Sequence, residues 1–309
     1  MTARRTSLIA VDWGTTSARA YRLDDRGEVC DARAAPLGIQ QVKGGYPDAL
    51  AALLGDWSSD TAPRLACGMI GSRQGWIEAP YIDCPAPVDV LARGIVRTED
   101  GALAIVPGLA CRGVDGMPDV MRGEETQIAG AVSDGAAPTL AILPGTHSKW
   151  VTVAGGRIEL FATYMTGELF AVLREHSILA RLMSIDAAHA PDAFRRGWET
   201  SLAGDGALLH RLFGTRTLGL FGRLAPEEAP SYLSGLLIGE EVRAAARDLA
   251  GSTVTVIGDP VLCERYREVL AGGGIGARTA LPDAARIGLW RVAIESGLVD
   301  GGRGHERPN

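Results

Sequence analysis

Residues 11–21 read "VDWGTTSARAY". An apolar run from Leu8 to Val11 ends on Asp12, and Gly14, Thr15, Thr16 and Ser17 then form a small, hydroxyl-rich turn before an extended pattern resumes at Ala18. Together with the turn "DDRG", where Gly27 suits a tight hairpin, this spacing predicts a meander of strands over 7–12, 18–24 and 28–35. Glycine lets the backbone approach a phosphate without a β-carbon in the way, and hydroxyls and N–H groups bind its oxygens. The turn therefore fits a phosphate holder, but it equally fits an ordinary hairpin.

Outward from this stretch the pattern repeats. "YPDALAALLGDW" has helical spacing with Pro47 at its start, and "RLACGMI" and "ALAIVPG" read as buried strands. A helix begins after Gly123, with Glu124 and Glu125 in the first turn, where acids match the positive end of the helix dipole. A second cycle follows: the strand "TLAILPG", a strand pair in "HSKWVTVAGGRIELFATY" turning at Gly155 and Gly156, and helices to about residue 250. "STVTVIGDP" is a strand, Pro260 opens the next helix, and "AARIGLWRVAIESGLV" is an amphipathic closing helix. The shared order of the two halves predicts internal duplication. An N-terminal lobe is expected over 1–130, a C-terminal lobe over 131–299, and a disordered glycine-rich tail over 300–309.

The 309 residues suit two cores better than one. No stretch approaches the roughly 20 apolar residues needed to span a bilayer, and Asp12 interrupts the first apolar run too early for a signal peptide. A cytoplasmic protein is expected. Cys30, Cys67, Cys84, Cys111 and Cys263 are odd in number and widely spaced, which argues against disulfides or a zinc site and for buried small hydrophobes. A net charge of -6 argues against a nucleic-acid partner. Any anionic ligand must be held locally.

Three glycine turns follow apolar runs: "VDWGTTS", "LPGTHSKW" and "VIGDP". None fits the GxxxxGK[ST] phosphate loop, and "AGGGIGA" follows a helix and precedes a strand, the reverse of a dinucleotide-binding loop. Ending that helix is its simpler role. The first two turns open the two half-repeats, so two hairpins are expected to face each other across a cleft.

Two glycine-threonine hairpins, an acid-led helix before the second and a late strand-glycine turn resemble the actin, Hsp70 and sugar-kinase superfamily. "VDWGTTSARAY", "GMIGSRQGW", "RGEETQIAGA", "LPGTHSKWV" and "FATYMTGELFAVL" closely resemble the 2-dehydro-3-deoxygalactonokinase family over residues 7–298. The resemblance implies an α/β, two-lobed actin-like ATPase (ribonuclease H-like) fold of duplicated βββαβα units with a central cleft. It also implies phosphorylation of a 2-keto-3-deoxy sugar acid at C6 from ATP with Mg2+, in galactonate catabolism.

By the same resemblance, Asp12 belongs to the metal shell, usually through water, and is counted with the catalytic residues. Gly14, Thr15 and Thr16 contact the nucleotide phosphates, and Gly145, Thr146, His147 and Ser148 contact them from the second hairpin. Lys149 beside that hairpin is a phosphate cation or a surface lysine. Related kinases place an aspartate at a helix start shortly before the second hairpin as the catalytic base. Here "RGEETQ" makes Glu124 the first choice and Glu125 the second, while both also fit simple helix-dipole carboxylates. An acidic substrate calls for a planar cation, for which Arg73, beside Ser72 and Trp76, is the first candidate and Arg122 the second. Each also fits a structural arginine. Thr166, Gly167 and Glu168 start a helix assigned to the substrate, though a Thr cap with an acidic first turn explains them too. Gly258 and Asp259 fall where the superfamily contacts adenosine.

Two alternatives remain. A kinase for another sugar acid, such as the C4 epimer 2-dehydro-3-deoxygluconate, would differ by one hydroxyl's orientation. A non-catalytic nucleotide switch of the actin kind would use the same clamp, although the chain has no separate peptide-binding domain. The resemblance allows a homodimer, but no apolar stripe identifies an interface.

Overall fold

The computed structural model describes residues 5–113, 116–132, 139–184, 186–204, 207–247, 249–280 and 283–301. In chain order the elements are β1 (Leu8–Trp13), β2 (Ala18–Leu23), β3 (Val29–Ala35), α1 (Tyr46–Leu54), β4 (Arg64–Cys67), β5 (Tyr81–Asp83), β6 (Ala86–Pro87) and α2 (Val88–Arg93). Next come β7 (Val96–Arg97), β8 (Ala104–Ile105), β9 (Gly108–Arg112), β10 (Pro118–Met121), α3 (Glu124–Ala131), β11 (Thr139–Leu143), β12 (Ser148–Ala154) and β13 (Arg157–Tyr164). The chain continues with α4 (Thr166–His176), α5 (Pro191–Leu202), α6 (Leu208–Leu220), α7 (Ala229–Ala245), β14 (Thr253–Val256), α8 (Pro260–Gly272), β15 (Gly276–Thr279) and α9 (Ala284–Glu295).

The chain forms two compact units. The first holds Met1–Thr139, Val151–Phe161 and Leu281–Asn309, and the second holds Leu140–Trp150 and Ala162–Ala280. A single cut at residue 130 does not describe this division. The closing helix α9 rejoins the first unit because its buried Leu289, Val292 and Ala293 pack with α3, β1 and β4. Of the expected tail, residues 302–309 lie outside the described residues.

In the first unit the main sheet has the order β3-β2-β1-β4-β8-β7. β1 and β2 are antiparallel from Leu8↔Leu23 to Trp13↔Ala18, whereas β1 and β4 are parallel. A central strand covered on both faces must be apolar nearly throughout, and β1 is; β2, one strand nearer the edge, alternates between buried and exposed positions. Ile9, Val11 and Trp13 from β1 meet Leu50, Leu53 and Leu54 of α1, and Trp57, in the core. Short strands β10-β9-β5 form a small extra sheet that the sequence pattern does not announce.

A second six-stranded sheet has the order β15-β14-β11-β12-β13-β6, with β14 parallel to β11 and to β15. Read in reverse from β13 to β15, this repeats β3-β2-β1-β4-β8, which bears out the internal duplication. Helix α7 is buried along nearly its whole length, and α5 crosses it at backbone range: a β-carbon on Gly235 would meet the Phe194 carbonyl oxygen at 2.0 Å. Ile142, Phe194, Val242, Val254, Val256 and Leu270 fill the core beneath the sheet.

Cys67, Cys111 and Cys263 are buried, but Cys30, on the edge strand β3, is exposed, which corrects its expected burial. All five are free thiols. Among the described residues no helix is long and apolar enough to cross a membrane.

Candidate active site

The first hairpin turn is closed by Gly14 N–H donating to the Ser17 carbonyl at 2.9 Å, which leaves Thr16 and Ser17 exposed at its tip. The turn rests on residues 37–40. Ile39 N–H donates to the Gly14 carbonyl at 3.1 Å, Gln40 N–H to that of Thr15 at 3.2 Å, and the buried Trp13 indole to that of Leu37 at 2.6 Å. Gly38 lies so near that a β-carbon there would sit 2.3 Å from the Thr15 backbone.

Asp12, at the end of β1, faces Arg19 across the hairpin and Cys67 on β4, whose thiol is 3.9 Å away. Burial raises the Asp12 pKa and the charge of Glu124 adds to that rise, while the Arg19 guanidinium opposes it. The carboxylate thus sits where added positive charge would stabilise it.

Helix α3 starts beyond Gly123, whose φ of 105° is left-handed and suits glycine. The two acids of its first turn have different surroundings. Glu124 is half-buried, and its Oε2 accepts the Arg122 backbone N–H at 3.0 Å. Glu125 is fully buried: it accepts Gly123 N–H at 2.7 Å and the Thr126 hydroxyl at 2.9 Å. Burial, followed by the Glu124 charge, pushes the Glu125 carboxyl up to about 8.

The two arginines named for a substrate carboxylate also differ. Arg73 points outward, 86% exposed, and pairs with Glu78 at 3.3 Å. Arg122 is buried, donates from Nη2 to the Ala79 carbonyl at 2.8 Å and lies 4.3 Å over the Tyr81 ring. Its Nε and Nη1, and the Ser72 hydroxyl, are buried without a hydrogen-bond partner among the described residues. Trp76 stacks on Tyr46 at 6.2 Å, and Tyr46 meets Trp13 edge-on, so the Ser72–Trp76 loop is tied to the first hairpin.

In the second unit, Thr146 and His147 are exposed at the tip of the second hairpin, and Ser148 and Lys149 are buried behind it. Lys149 is not a surface lysine; its ammonium donates to the His147 carbonyl at 3.2 Å. The first turn of α4 packs against this tip. Glu168 N–H donates to the Thr146 carbonyl at 2.9 Å, the Glu168 carboxylate pairs with His147, and a β-carbon on Gly167 would meet the Gly145 carbonyl at 2.4 Å. Thr166 does not cap the helix, since its hydroxyl donates to Glu241. At the third turn Gly258 has a φ of 145° and is exposed, while the Asp259 carboxylate caps α8 by accepting from Val261 and Leu262 N–H at 3.0 Å each.

The Asp12 turn, the start of α3 and the Ser72–Trp76 loop with Arg122 all belong to the first unit, and the second and third turns belong to the second. Leu37–Gln40 and Glu241 escaped sequence reading. A backing loop and a charge inside an apolar helix carry no local motif, although a glutamate within "SGLLIGEEV" is a signal that could have been followed.

Two mixed sheets of matching strand order, each opening on a glycine-threonine hairpin and flanked by helices, define a two-lobed actin-like ATPase fold. A Clostridium difficile activator of 2-hydroxyisocaproyl-CoA dehydratase, solved with bound ADPNP, shares this fold at a TM-score of 0.51 and 10% identity, over 94% of this chain and 96% of its own. The sequence matches the family described as 2-keto-3-deoxy-galactonokinase over residues 12–292, and the chain belongs to that family. It is 36% identical to the 2-dehydro-3-deoxygalactonokinase of Escherichia coli strain K12 over 298 residues, 95% of this chain and 98% of the relative. A crystal structure of a candidate 2-dehydro-3-deoxygalactonokinase from Sinorhizobium meliloti superposes with a TM-score of 0.86 at 37% identity, covering 93% and 98% of the two chains. The chain is therefore a sugar acid kinase.

Proposed function

We propose that this chain transfers the γ-phosphoryl group of ATP to the C6 hydroxyl of 2-dehydro-3-deoxy-D-galactonate, giving the 6-phosphate in galactonate breakdown. The family match over residues 12–292 carries this reading. Phosphoryl transfer needs positioning and charge stabilisation more than covalent chemistry. Thr15 and Thr16 of the first unit and Thr146 and His147 of the second supply N–H and hydroxyl donors for phosphate oxygens, Gly145 allows close backbone approach, and Gly14, whose N–H closes its turn, and Ser148, whose hydroxyl donates to Glu241, hold the two turns in shape. Gly258 offers open backbone to adenosine, and Asp259 holds that turn through its cap on α8.

Glu124 acts as the base. Its half-buried carboxylate takes the proton from the C6 hydroxyl as that oxygen attacks phosphorus. Glu125, sealed inside and holding its proton up to about pH 8, shapes the helix start instead. Arg122 and Ser72 are assigned to the substrate carboxylate. A buried guanidinium with unused N–H groups costs several kcal/mol that a planar anion would recover. Binding there requires the Ser72–Trp76 loop to shift. Glu168 is assigned to the second turn, as the partner of His147.

The chemistry of Asp12 fits Mg2+: it is one hard carboxylate, raised in pKa by burial and by Glu124 against the opposing charge of Arg19. Asp12 would hold the ion through water, and when bound the ion neutralises phosphate charge. A cytoplasmic location accords with five free thiols.

A coupled ADP-release assay across sugar acids tests the reading. Turnover is expected with 2-dehydro-3-deoxygalactonate and little with the gluconate epimer. Preference for the epimer would reassign the substrate, and ATP binding without turnover on any sugar acid would favour a nucleotide switch.

A further inference from the structure

Behind the second hairpin lies a carboxylate in an otherwise apolar place. Glu241 sits on α7, 3% exposed. Its Oε1 accepts the Ser148 hydroxyl and the Trp150 indole N–H, both at 2.7 Å, and its Oε2 accepts the Tyr266 hydroxyl at 2.7 Å and the Thr166 hydroxyl. Four donors from β12, α4 and α8 thus meet on one side chain, two on each oxygen, and fill the roughly four lone-pair sites a carboxylate offers. Burial, with the neighbouring carboxylate, raises the Tyr266 pKa far enough to keep its phenol a donor.

Such a group is costly to bury, and an apolar residue of similar volume would often serve packing as well or better. What the carboxylate adds is geometry. Ser148 directly follows the exposed tip of the hairpin, and Thr166 begins the helix whose first turn packs on that tip. Between these anchors run the Glu168 N–H to Thr146 carbonyl bond and the close approach of Gly167 to Gly145.

We infer that Glu241 is a positioning residue for nucleotide binding, fastening the second hairpin turn and the start of α4 into one rigid piece so that the turn's donors meet the phosphates preorganised. The inference rests on the phosphate role proposed for that turn. Preorganised donors lose little on binding, whereas a loosened turn must be ordered at the expense of affinity.

The test measures KM for ATP, KM for the sugar acid, and kcat in Glu241→Gln, with Tyr266→Phe, which removes one donor at nearly constant volume, and Trp150→Phe, which removes one donor and part of a buried ring, as milder variants. Glu241→Gln should raise KM for ATP about tenfold, each milder variant about threefold, and KM for the sugar acid less than about twofold. The milder variants decide the matter if Glu241→Gln does not fold. A purely structural role predicts a lower Tm with the ATP to sugar-acid KM ratio unmoved in all folded variants, which would overturn the inference. Thr146→Ala separates the two layers. If it raises KM for ATP while the Glu241, Trp150 and Tyr266 variants do not, the positioning role fails and the phosphate reading stands. If it also leaves ATP unaffected, the phosphate reading fails, and the inference with it.

Discussion

Gly288 of α9 lies against Thr126 of α3 so closely that a β-carbon on Gly288 would meet the Thr126 carbonyl oxygen at 1.8 Å. The approach is reciprocal, since a β-carbon on Gly130 would meet the Ala284 carbonyl at 1.9 Å. The C-terminal helix thereby sets the position of the helix that presents Glu124. Gly288→Ala cannot be accommodated without pushing α3 and α9 apart. It should cost about 3 kcal/mol of stability, seen as a lower denaturation midpoint, and should reduce kcat in the protein that remains folded. Unchanged stability would show that the two helices separate freely.

The two acids at the start of α3 should behave differently. Glu124→Gln is expected to lower kcat by about 100-fold or more while KM for ATP stays within about threefold, the pattern for loss of a general base. Glu125→Gln keeps the shape of the buried side chain and should retain most of the activity. The reverse ranking in steady-state kinetics would move the base to Glu125.

Glu125 also imposes a pH dependence on stability. Its carboxyl rises from an ordinary 4.5 to about 8 on folding, so between those values the folded state holds a proton that the unfolded state has released. Stability from this source is complete below about 4.5 and is lost as pH rises toward 8. Thermal melts of wild type and Glu125→Gln should therefore diverge, with the variant gaining relative to wild type from pH 5 to pH 8 by about one or more kcal/mol. A constant difference across that range would contradict the buried, protonated acid.

The strands β1 to β3 and β11 to β13 and the start of α3 were legible in the sequence because they rest on local signals: apolar runs, glycine turns, and acids after Gly123. The short strands β5, β9 and β10 were not, since a few residues carry no period and depend on their neighbours for pairing. At the site, Asp12 and the two turns followed from motif and resemblance. The difference between Glu124 and Glu125 did not, because adjacent identical residues are told apart only by which one faces the interior. The same holds for Arg73 and Arg122: charge is written in the sequence, but burial and unused donors come from packing.

That contrast gives a further prediction. Arg122→Lys, which keeps the charge but loses the planar fork, should raise KM for the sugar acid about tenfold and leave KM for ATP within about twofold. Arg73→Ala removes only an exposed pair with Glu78 and should change either KM by less than about twofold. If Arg73→Ala instead produces the selective rise for the sugar acid, the carboxylate is held at the surface loop and not by Arg122.

Phosphoryl transfer from ATP to the sugar acid makes one new bond, between phosphorus and the oxygen on C6. Proton-coupled phosphorus NMR of the product formed from ATP and 2-dehydro-3-deoxygalactonate reads it directly. The expected product is a phosphomonoester whose phosphorus couples to the two protons of C6, formed in step with ADP. A phosphorus coupled to a single ring or chain methine, or inorganic phosphate alone, would contradict it.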